Sequence, residues 1–260
     1  MSAICNVPSL FDLRDQVAIV TGGNGGLGLG MALGLAQAGA VVAIVARDPK
    51  KGFFATKMIE AEGGRAVFFP VDVRSKTSCV EMARDVARQL GAIDILVANA
   101  GVSNGGFPEE MAEEAWQATV DVNLNGSFFC SQAVHPFMRT RRGGKIVFVG
   151  SMTSLFGHPL APGYGASKGA IVQLAKSLAV AWADDNIQVN TILPGWFETE
   201  IVESVVKDRG FYDGIVARTP ARRWGVPSDL RGIIQFLCSN ASQFVTGASI
   251  PVDGGYSAYC

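Results

Sequence analysis

The chain has 260 residues, of which 48% are hydrophobic and 17% are charged, and its net charge is −1. A chain of this length can bury a full hydrophobic core, and its balanced charge lacks the basic footprint of a nucleic-acid or anionic-membrane partner. No apolar run is long enough to span a membrane. The five cysteines form no CxxC pair and only two histidines are present. We therefore expect no metal site, and reduced thiols in a cytoplasmic protein.

Short apolar segments alternate with helical segments along the chain. The predicted strands cover 17–21, 41–46, 66–71, 93–98, 145–150, 187–193 and 248–252. The predicted helices are a stretch ending near 38 and segments at about 49–62, 75–90, 109–139, 161–183, 199–216 and 228–239. This alternation is typical of a parallel sheet covered on both faces. We predict a doubly wound (Rossmann) α/β fold with seven parallel strands in one domain, 1–260, whose first 14 residues are an extension.

A glycine-rich turn, TGGNGGLGLG at 21–30, follows the first predicted strand and opens a helix. Missing side chains let a backbone approach a pyrophosphate, and the helix N-terminus offers N–H donors. The turn therefore predicts a nucleotide site. Its glycines fit three spacings, and the turn alone does not choose between them: Gly23-x-Gly25-x-x-Gly28, Gly22-x-x-Gly25-x-x-Gly28 and Gly22-x-x-x-Gly26-x-Gly28.

The end of the second predicted strand bears on the choice between NAD and NADP. An acidic side chain there would bind the ribose hydroxyls and repel a 2′-phosphate. This sequence has Ala46 at that point, followed by Arg47, with Lys50 and Lys51 close by. A cation can pair with a 2′-phosphate, so we favour NADP(H) over NAD(H). A shift of one residue would instead bring Asp48 to the ribose and reverse this preference.

Tyr164 and Lys168 lie four residues apart in a predicted helix and so share one face. A nearby ammonium favours the phenolate and is expected to lower the pKa of the tyrosine. Such a pair can exchange a proton with an alcohol or a carbonyl. Ser151 follows the fifth predicted strand, at the sheet edge where active-site groups of open α/β sheets gather.

Together these motifs resemble the short-chain dehydrogenase/reductase family in its compact single-domain form, over nearly the whole chain from Val17 to Tyr256. The resemblance rests on the spacing Thr21-Gly22-x-x-x-Gly26-x-Gly28, on Asn99-Ala100-Gly101, Asn123, Ser151, Tyr164-x-x-x-Lys168, and on Pro194-Gly195 with Thr199. It selects Gly26 over Gly25. Gly23 and Gly25 then become permissive neighbours, and Gly30 is expected to be a contact between helix and sheet.

The resemblance implies the roles of the catalytic residues. Tyr164 is the implied acid/base, and Lys168 lowers its pKa and binds the nicotinamide ribose. Ser151 hydrogen-bonds the substrate oxygen, an oxyanion-type effect, and Asn123 holds a water linked to Lys168.

The resemblance also implies a set of cofactor-binding residues around the turn and the strand ends. They are Thr21, Gly22, Asn24, Gly26, Leu27, Gly28, Arg47, Asp72, Val73, Asn99, Ala100, Gly101, Tyr164, Lys168, Pro194, Gly195 and Thr199, with Ile192 beside the nicotinamide.

Further expectations concern the surroundings of the site. The segment at about 195–220 would be a substrate lid, whose aromatic residues pack either on the domain or on substrate. His158 is expected to be a loop residue or a substrate contact, and His135 to be structural. Ser228 is expected to cap the last helix. Family members are usually homotetramers, so we expect one here.

The expected reaction is hydride transfer between NADP(H) and a small secondary alcohol or ketone. The nearest resemblance is to gluconate 5-dehydrogenase-like and 3-oxoacyl-carrier-protein reductase-like members, and the sequence does not choose between a polyol or sugar acid and a 3-oxoacyl thioester. A non-catalytic NADP-binding sensor would not need all four catalytic residues. A nucleotide-sugar epimerase or dehydratase would need a further C-terminal substrate domain.

Overall fold

The computed structural model of the chain describes residues 7–199 and 208–259. These residues form a seven-stranded sheet in the order β3-β2-β1-β4-β5-β6-β7. The strands are β1 Val17–Thr21, β2 Val41–Ala46, β3 Arg65–Pro70, β4 Ile95–Ala98, β5 Gly144–Val149, β6 Ile187–Pro194 and β7 Ser249–Val252. Every neighbouring pair is parallel. The predicted doubly wound α/β fold is therefore confirmed.

Helices cover both faces of this sheet. Those in the described residues are α1 Gly26–Gln37, α2 Pro49–Ala61, α3 Lys76–Leu90, α4 Glu113–Val120, α5 Gly126–Thr140, α6 Pro162–Ala181, α7 Arg209–Arg218 and α8 Arg231–Cys238. One core packs residues of α3, α5 and α6 on the sheet, and a second packs α1, α2 and α8 on the other face. Strands buried on both sides account for the continuous apolar runs in the sequence.

Short polar residues set the start of two helices as their chemistry predicts. The carboxylate of Asp48 accepts hydrogen bonds from the backbone N–H groups of Lys50 and Lys51, at 2.9 and 3.2 Å. Ser75 does the same for Ser78 at 3.2 Å. These bonds satisfy N–H groups that have no partner within the helix.

The prediction of a single long helix over 109–139 is wrong. A 3-10 turn, Pro108–Glu110, precedes α4, and a π-helical turn, Asp121–Asn125, separates α4 from α5. Apolar periodicity does not reveal a π turn, because the chain stays helical on either side of it. Such turns often occur at functional sites.

The prediction for the last helix also needs correction, since Ser228 is not its N-cap. A 3-10 turn, Pro227–Leu230, comes first, and Asp229 accepts the backbone N–H of Val226 at 2.8 Å. The helix predicted at 199–216 is described only as α7, because residues 200–207 lie outside the described residues.

Three cysteines, Cys79, Cys130 and Cys238, are buried free thiols, whereas Cys5 and Cys260 lie outside the described residues. Within 7–199 and 208–259, no group of three or more histidine, cysteine or acidic side chains is placed to hold a metal ion. None of the helices described above has the length and apolar character that crossing a membrane requires.

Lys145, the second residue of β5, is a charged residue in the core, with 8% of its surface exposed. Its ammonium donates a long hydrogen bond of 3.4 Å to Ser242. Burial lowers the pKa of Lys145 from its usual 10.5 to about 8, because the interior disfavours the charged form. Folding must therefore desolvate this ammonium at neutral pH.

We expect Lys145→Met to raise the melting temperature, since methionine fills similar space without a charge to desolvate. The gain is full below pH 8 and fades as pH rises towards 10.5, because over that interval the unfolded wild type binds more protons than the folded wild type. Thermal unfolding at several pH values measures this, with exposed Lys176→Met on α6 as the control. A lower melting temperature for Lys145→Met at neutral pH would contradict it.

Candidate active site

The glycine turn joins the end of β1 to the start of α1, and its backbone distinguishes the three candidate spacings. Gly22 and Gly26 have φ values of +64° and +50°, a region that side chains other than glycine rarely adopt. A Cβ on Gly28 would lie 2.2 Å from the carbonyl oxygen of Gly22. Gly25 is extended at φ −179°, and a Cβ there would meet nothing within 4 Å. The backbone thus requires glycine at 22, 26 and 28.

Two neighbouring glycines differ from their predicted roles. Gly23 is not permissive, because a Cβ there would lie 2.9 Å from the carbonyl oxygen of Val20. Gly30 packs against the turn before α8 rather than against the sheet. A Cβ added at this position would lie 2.4 Å from the carbonyl oxygen of Pro227. Substitution of Gly30 would therefore disturb the fold.

Thr21 and Asn99 tie the turn to the segment after β4. The hydroxyl of Thr21 accepts the backbone N–H groups of Asn99 and Ala100, both at 3.0 Å. The side-chain amide of Asn99 donates to the carbonyls of Thr21 and Gly22, at 2.9 and 3.3 Å. The Asn99 side chain therefore holds the glycine turn in place.

A cavity of about 450 Å³ opens beside this turn, at the carboxyl ends of β1, β2 and β4. It brings together seven residues of the predicted cofactor set, namely Gly22, Asn24, Arg47, Asp72, Val73, Ala100 and Gly101. Six further residues line it: Ala46 and Asp48, which the sequence already placed near the ribose, and Val45, Val71, Val102 and Val122, which only the folded strand ends reveal. The other predicted cofactor residues do not line this cavity.

The two carboxylates of the cavity have defined partners. Asp48 caps α2 and so has a structural task. Asp72 forms a salt bridge with Arg74, whose hydrogen bond is the main reason that the pKa of Asp72 is lowered. Sequence reasoning did not single out Arg74. Arg47 lines the cavity at the end of β2, where it also contributes to the lowered pKa of Asp72.

An adenine dinucleotide fits these residues. The turn provides backbone without side chains at a helix N-terminus, which suits a pyrophosphate, and the cavity beside it continues along the strand ends. Thr199 approaches from the segment after β6, where its Cγ2 lies 3.5 Å from the position of a Cβ on Gly26. Gly195 packs closely against Asp253, because a Cβ at position 195 would lie 2.7 Å from the Asp253 Cα.

Ser151 and Tyr164 come together where β5 ends and α6 begins. The Ser151 hydroxyl lies close enough to the Tyr164 phenol to affect its pKa, and it accepts the N–H of Thr153 at 3.2 Å. Burial raises the pKa of Tyr164, and the nearby Ser151 side chain offsets part of that rise. The phenol is therefore protonated at neutral pH.

Lys168 lies one helical turn beyond Tyr164, with 4% of its surface exposed. Its ammonium is 5.5 Å from the centroid of the Tyr164 ring and donates a 2.7 Å hydrogen bond to the carbonyl of Val149. Burial lowers the pKa of Lys168 to about 8. The expected net lowering of the tyrosine pKa is thus wrong for the protein by itself, because desolvation of both side chains opposes charge on either.

Asn123 lies in the π-helical turn and is buried. Its side-chain oxygen accepts the N–H of Val102 at 2.8 Å, and its amide donates to the carbonyl of Val102 and to Ser167, both at 3.0 Å. Ser167 in turn donates to the carbonyl of Tyr164 at 2.8 Å. The Asn123 side chain therefore joins the segment after β4 to the catalytic helix, a link through Ser167 that the sequence did not predict.

The aromatic residues of the predicted lid pack on the domain in the described part of that segment. Trp196 contacts Phe211 and Trp224, with ring centroids 5.2 and 5.5 Å apart. Tyr212 stacks on Trp224 at 5.1 Å, and Phe197 is buried in the sheet core. Residues 200–207 of the predicted lid lie outside the described residues.

The two histidines have different surroundings. The Nδ1 atom of His158 accepts the N–H of Leu160 at 3.2 Å, which fixes it within its loop. His135 lies 2.8 Å from the carboxylate of Asp185 and stacks on Trp182 at 4.6 Å. These contacts fit the structural role expected of His135.

Known proteins share this arrangement. A family model described as enoyl-(acyl carrier protein) reductase matches residues 22–257. Gluconate 5-dehydrogenase from Gluconobacter oxydans (strain 621H) is 39% identical over 248 residues, which cover 95% of this chain and 97% of that protein. The chain belongs to the short-chain dehydrogenase/reductase family.

Two further similar proteins bear on the cofactor and the substrate class. A gluconate 5-dehydrogenase from Burkholderia cenocepacia J2315, crystallised with NADP and tartrate, is 37% identical with a TM-score of 0.94, over 98% of this chain and all (100%) of that one. A 3-oxoacyl-[acyl-carrier-protein] reductase from Thermotoga maritima is 35% identical over 245 residues, which cover 94% of this chain and 98% of that protein.

We expect Gly26→Ala to weaken NADPH binding about tenfold or more, because a Cβ strains the left-handed backbone that shapes the turn. Gly25→Ala is the matched control, since its backbone is extended and its surroundings are open. Fluorescence titration with NADPH measures both variants, and thermal unfolding verifies that they are folded. Equal affinity in the two variants would contradict the selected spacing.

Proposed function

We propose that this protein is an NADP(H)-dependent oxidoreductase that interconverts a secondary alcohol and a ketone, with a polyol or sugar acid as substrate. The observation that carries the proposal is the clustering of Ser151, Tyr164 and Lys168, in which the Ser151 hydroxyl lies near the Tyr164 phenol and the Lys168 ammonium is 5.5 Å from the centroid of the Tyr164 ring. These groups can polarise a carbonyl and give it a proton. The nicotinamide supplies the hydride when it is bound.

Tyr164 is the proposed proton donor in carbonyl reduction. Its raised pKa keeps the phenol protonated at neutral pH, which is the form that reduction requires. Ser151 stabilises charge that develops on the substrate oxygen. Lys168 holds positive charge near the tyrosine as its proton leaves and binds the nicotinamide ribose, and Asn123 supports a water beside Lys168.

NADP(H) is the proposed cofactor because a cation, Arg47, lines the cavity at the end of β2 while the preceding Ala46 bears no carboxylate. Asp48 does not compete for the ribose, since its side chain caps α2. The NADP complex of the relative from Burkholderia cenocepacia supports the same choice. The remaining cofactor-set residues around the turn and after β6 are proposed to line the pyrophosphate and nicotinamide.

A sugar acid is the favoured substrate because several similar proteins are named for gluconate or a keto-gluconate. The 3-oxoacyl thioester alternative has the support of the relative from Thermotoga maritima. A non-catalytic sensor is disfavoured because Asn123, Ser151, Tyr164 and Lys168 are all present.

The assembly and the surroundings of the site are part of the proposal. We propose a cytoplasmic homotetramer without nucleic-acid or membrane partners, in which a lid at about 195–220 covers the substrate. Residues 1–14 are proposed to be an N-terminal extension. These statements rest on the family resemblance and on the balanced charge of the chain.

We expect Tyr164→Phe to reduce turnover by about a hundredfold or more, because the variant cannot transfer the proton. NADPH binding should stay within about twofold, since the ring remains in place. The assay follows NADPH oxidation with 5-keto-D-gluconate, other ketones and an acetoacetyl thioester. Tyr259→Phe, on an exposed ring, is the control. Substantial activity of the Tyr164→Phe variant would contradict the proposed role of Tyr164 as proton donor.

We expect Arg47→Ala to raise the KM for NADPH about tenfold or more and to leave the KM for NADH nearly unchanged, because only NADPH carries the 2′-phosphate. Steady-state kinetics with both cofactors on one enzyme preparation provide an internal control. A similar loss with the two cofactors, or a wild type that prefers NADH, would contradict the NADP assignment.

A further inference from the structure

The hydroxyl of Ser154 lies between the backbones of two residues of the catalytic cluster. It accepts the N–H of Ser151 at 3.2 Å and donates to the carbonyl of Lys168 at 2.8 Å. One side chain thus connects the end of β5 to the turn of α6 that carries Tyr164 and Lys168.

The local backbone is arranged to admit this hydroxyl. Ser154 ends a 3-10 turn, Met152–Ser154, that begins directly after Ser151. Gly150 leaves the space free, because a Cβ there would lie 3.0 Å from the Ser154 oxygen and 2.5 Å from Leu193. A larger residue at 150 would push the turn away from α6.

Lys168 is consequently attached to the end of β5 at two points. The Lys168 ammonium donates a hydrogen bond to the carbonyl of Val149. The backbone carbonyl of Lys168 accepts a hydrogen bond from the Ser154 hydroxyl, which in turn accepts the N–H of Ser151. The covalent path between Ser151 and Tyr164 gives no comparable restraint, because it runs through the exposed stretch 155–157.

We propose that Ser154 is a positioning residue, which sets the distance between the Ser151 hydroxyl and the Tyr164 phenol during proton transfer. This inference rests on the proposed function. Loss of the Ser154 hydroxyl would leave the Ser151 N–H without this acceptor and would let the turn drift from α6. Even small displacements of reacting groups reduce turnover strongly.

The nearby Ser151 hydroxyl lowers the pKa of Tyr164 against the effect of burial. If Ser154 holds that hydroxyl in place, removal of the Ser154 hydroxyl should raise the pKa of the phenol further. The charged group that the structure describes near the ring is the Lys168 ammonium, whose own link to Val149 does not involve the Ser154 side chain. Because Ser154 also holds the Lys168 backbone, the titration of Tyr164 reports on the placement of the two residues that Ser154 joins, Ser151 and Lys168.

The test compares Ser154→Ala and Ser154→Cys with wild type, using Ser177→Ala as the matched control. Ser177 also donates to a carbonyl of α6, that of Gln173 at 3.1 Å, but on the exposed side. Cysteine keeps the shape of serine with a much weaker donor, so it carries the test if the alanine variant is poorly folded. Alcohol oxidation kinetics across pH give kcat and KM.

Tyrosinate absorbance of the protein alone gives the titration of Tyr164, after subtraction of Tyr164→Phe. We expect kcat to fall about tenfold or more, with the KM for the cofactor within about twofold. We also expect the ascending limb of kcat and the Tyr164 midpoint to move to higher pH, because oxidation needs the deprotonated phenol.

Wild-type kcat together with an unshifted midpoint in both variants would overturn the inference. So would a lower kcat with an unshifted midpoint, since that result describes a loss unrelated to the placement of Ser151 and Lys168 around Tyr164. A wild type without oxidoreductase activity would overturn the proposed function instead, and the absorbance titration would still decide the role of Ser154.

Discussion

The buried ammonium of Lys168 is the constraint on which the site depends. A cation removed from water is expensive unless the interior supplies polar partners, and here the carbonyl of Val149 does so at 2.7 Å. Gly101 is small enough to lie beside it, since a Cβ at that position would be 3.5 Å from the ammonium and 3.3 Å from the Asn123 oxygen. The end of β5, the segment after β4 and the π-helical turn all converge on this charge.

The two halves of the site depend on the parallel sheet for their alignment. Because every strand runs in the same direction, the glycine turn after β1 and the catalytic cluster after β5 emerge at one edge. Hydrogen bonds between Thr21 and Asn99 join the ends of β1 and β4. Thr199, in the segment after β6, lies next to the open side of Gly26, where its Cγ2 is 3.5 Å from the position of a Cβ. A hydride donor held by one half can thereby face the proton donor of the other.

Much of this could be predicted from local sequence. The bounds of β1 and β2 were predicted without error, because each is an apolar run of five or six residues closed by polar or glycine punctuation. The requirement for glycine at position 26 comes from the family resemblance, because the turn alone fits three spacings, and it agrees with the positive φ of Gly26. Contacts between distant segments were not predictable in this way: Gly30 against Pro227 and Ser154 between Ser151 and Lys168 depend on how helices dock. The direction of the Tyr164 pKa also required knowledge of burial, which the spacing of Tyr164 and Lys168 does not contain.

Transfer of an isotopic label tests the central claim most directly. NADPH deuterated at the nicotinamide carbon that donates the hydride is incubated with the enzyme and 5-keto-D-gluconate, and the product is analysed by mass spectrometry. The account predicts that wild type delivers deuterium to the new carbinol carbon, whereas Tyr164→Phe binds the cofactor and delivers almost none. Tight NADPH binding without label transfer to this ketone or to any other tested carbonyl would contradict it.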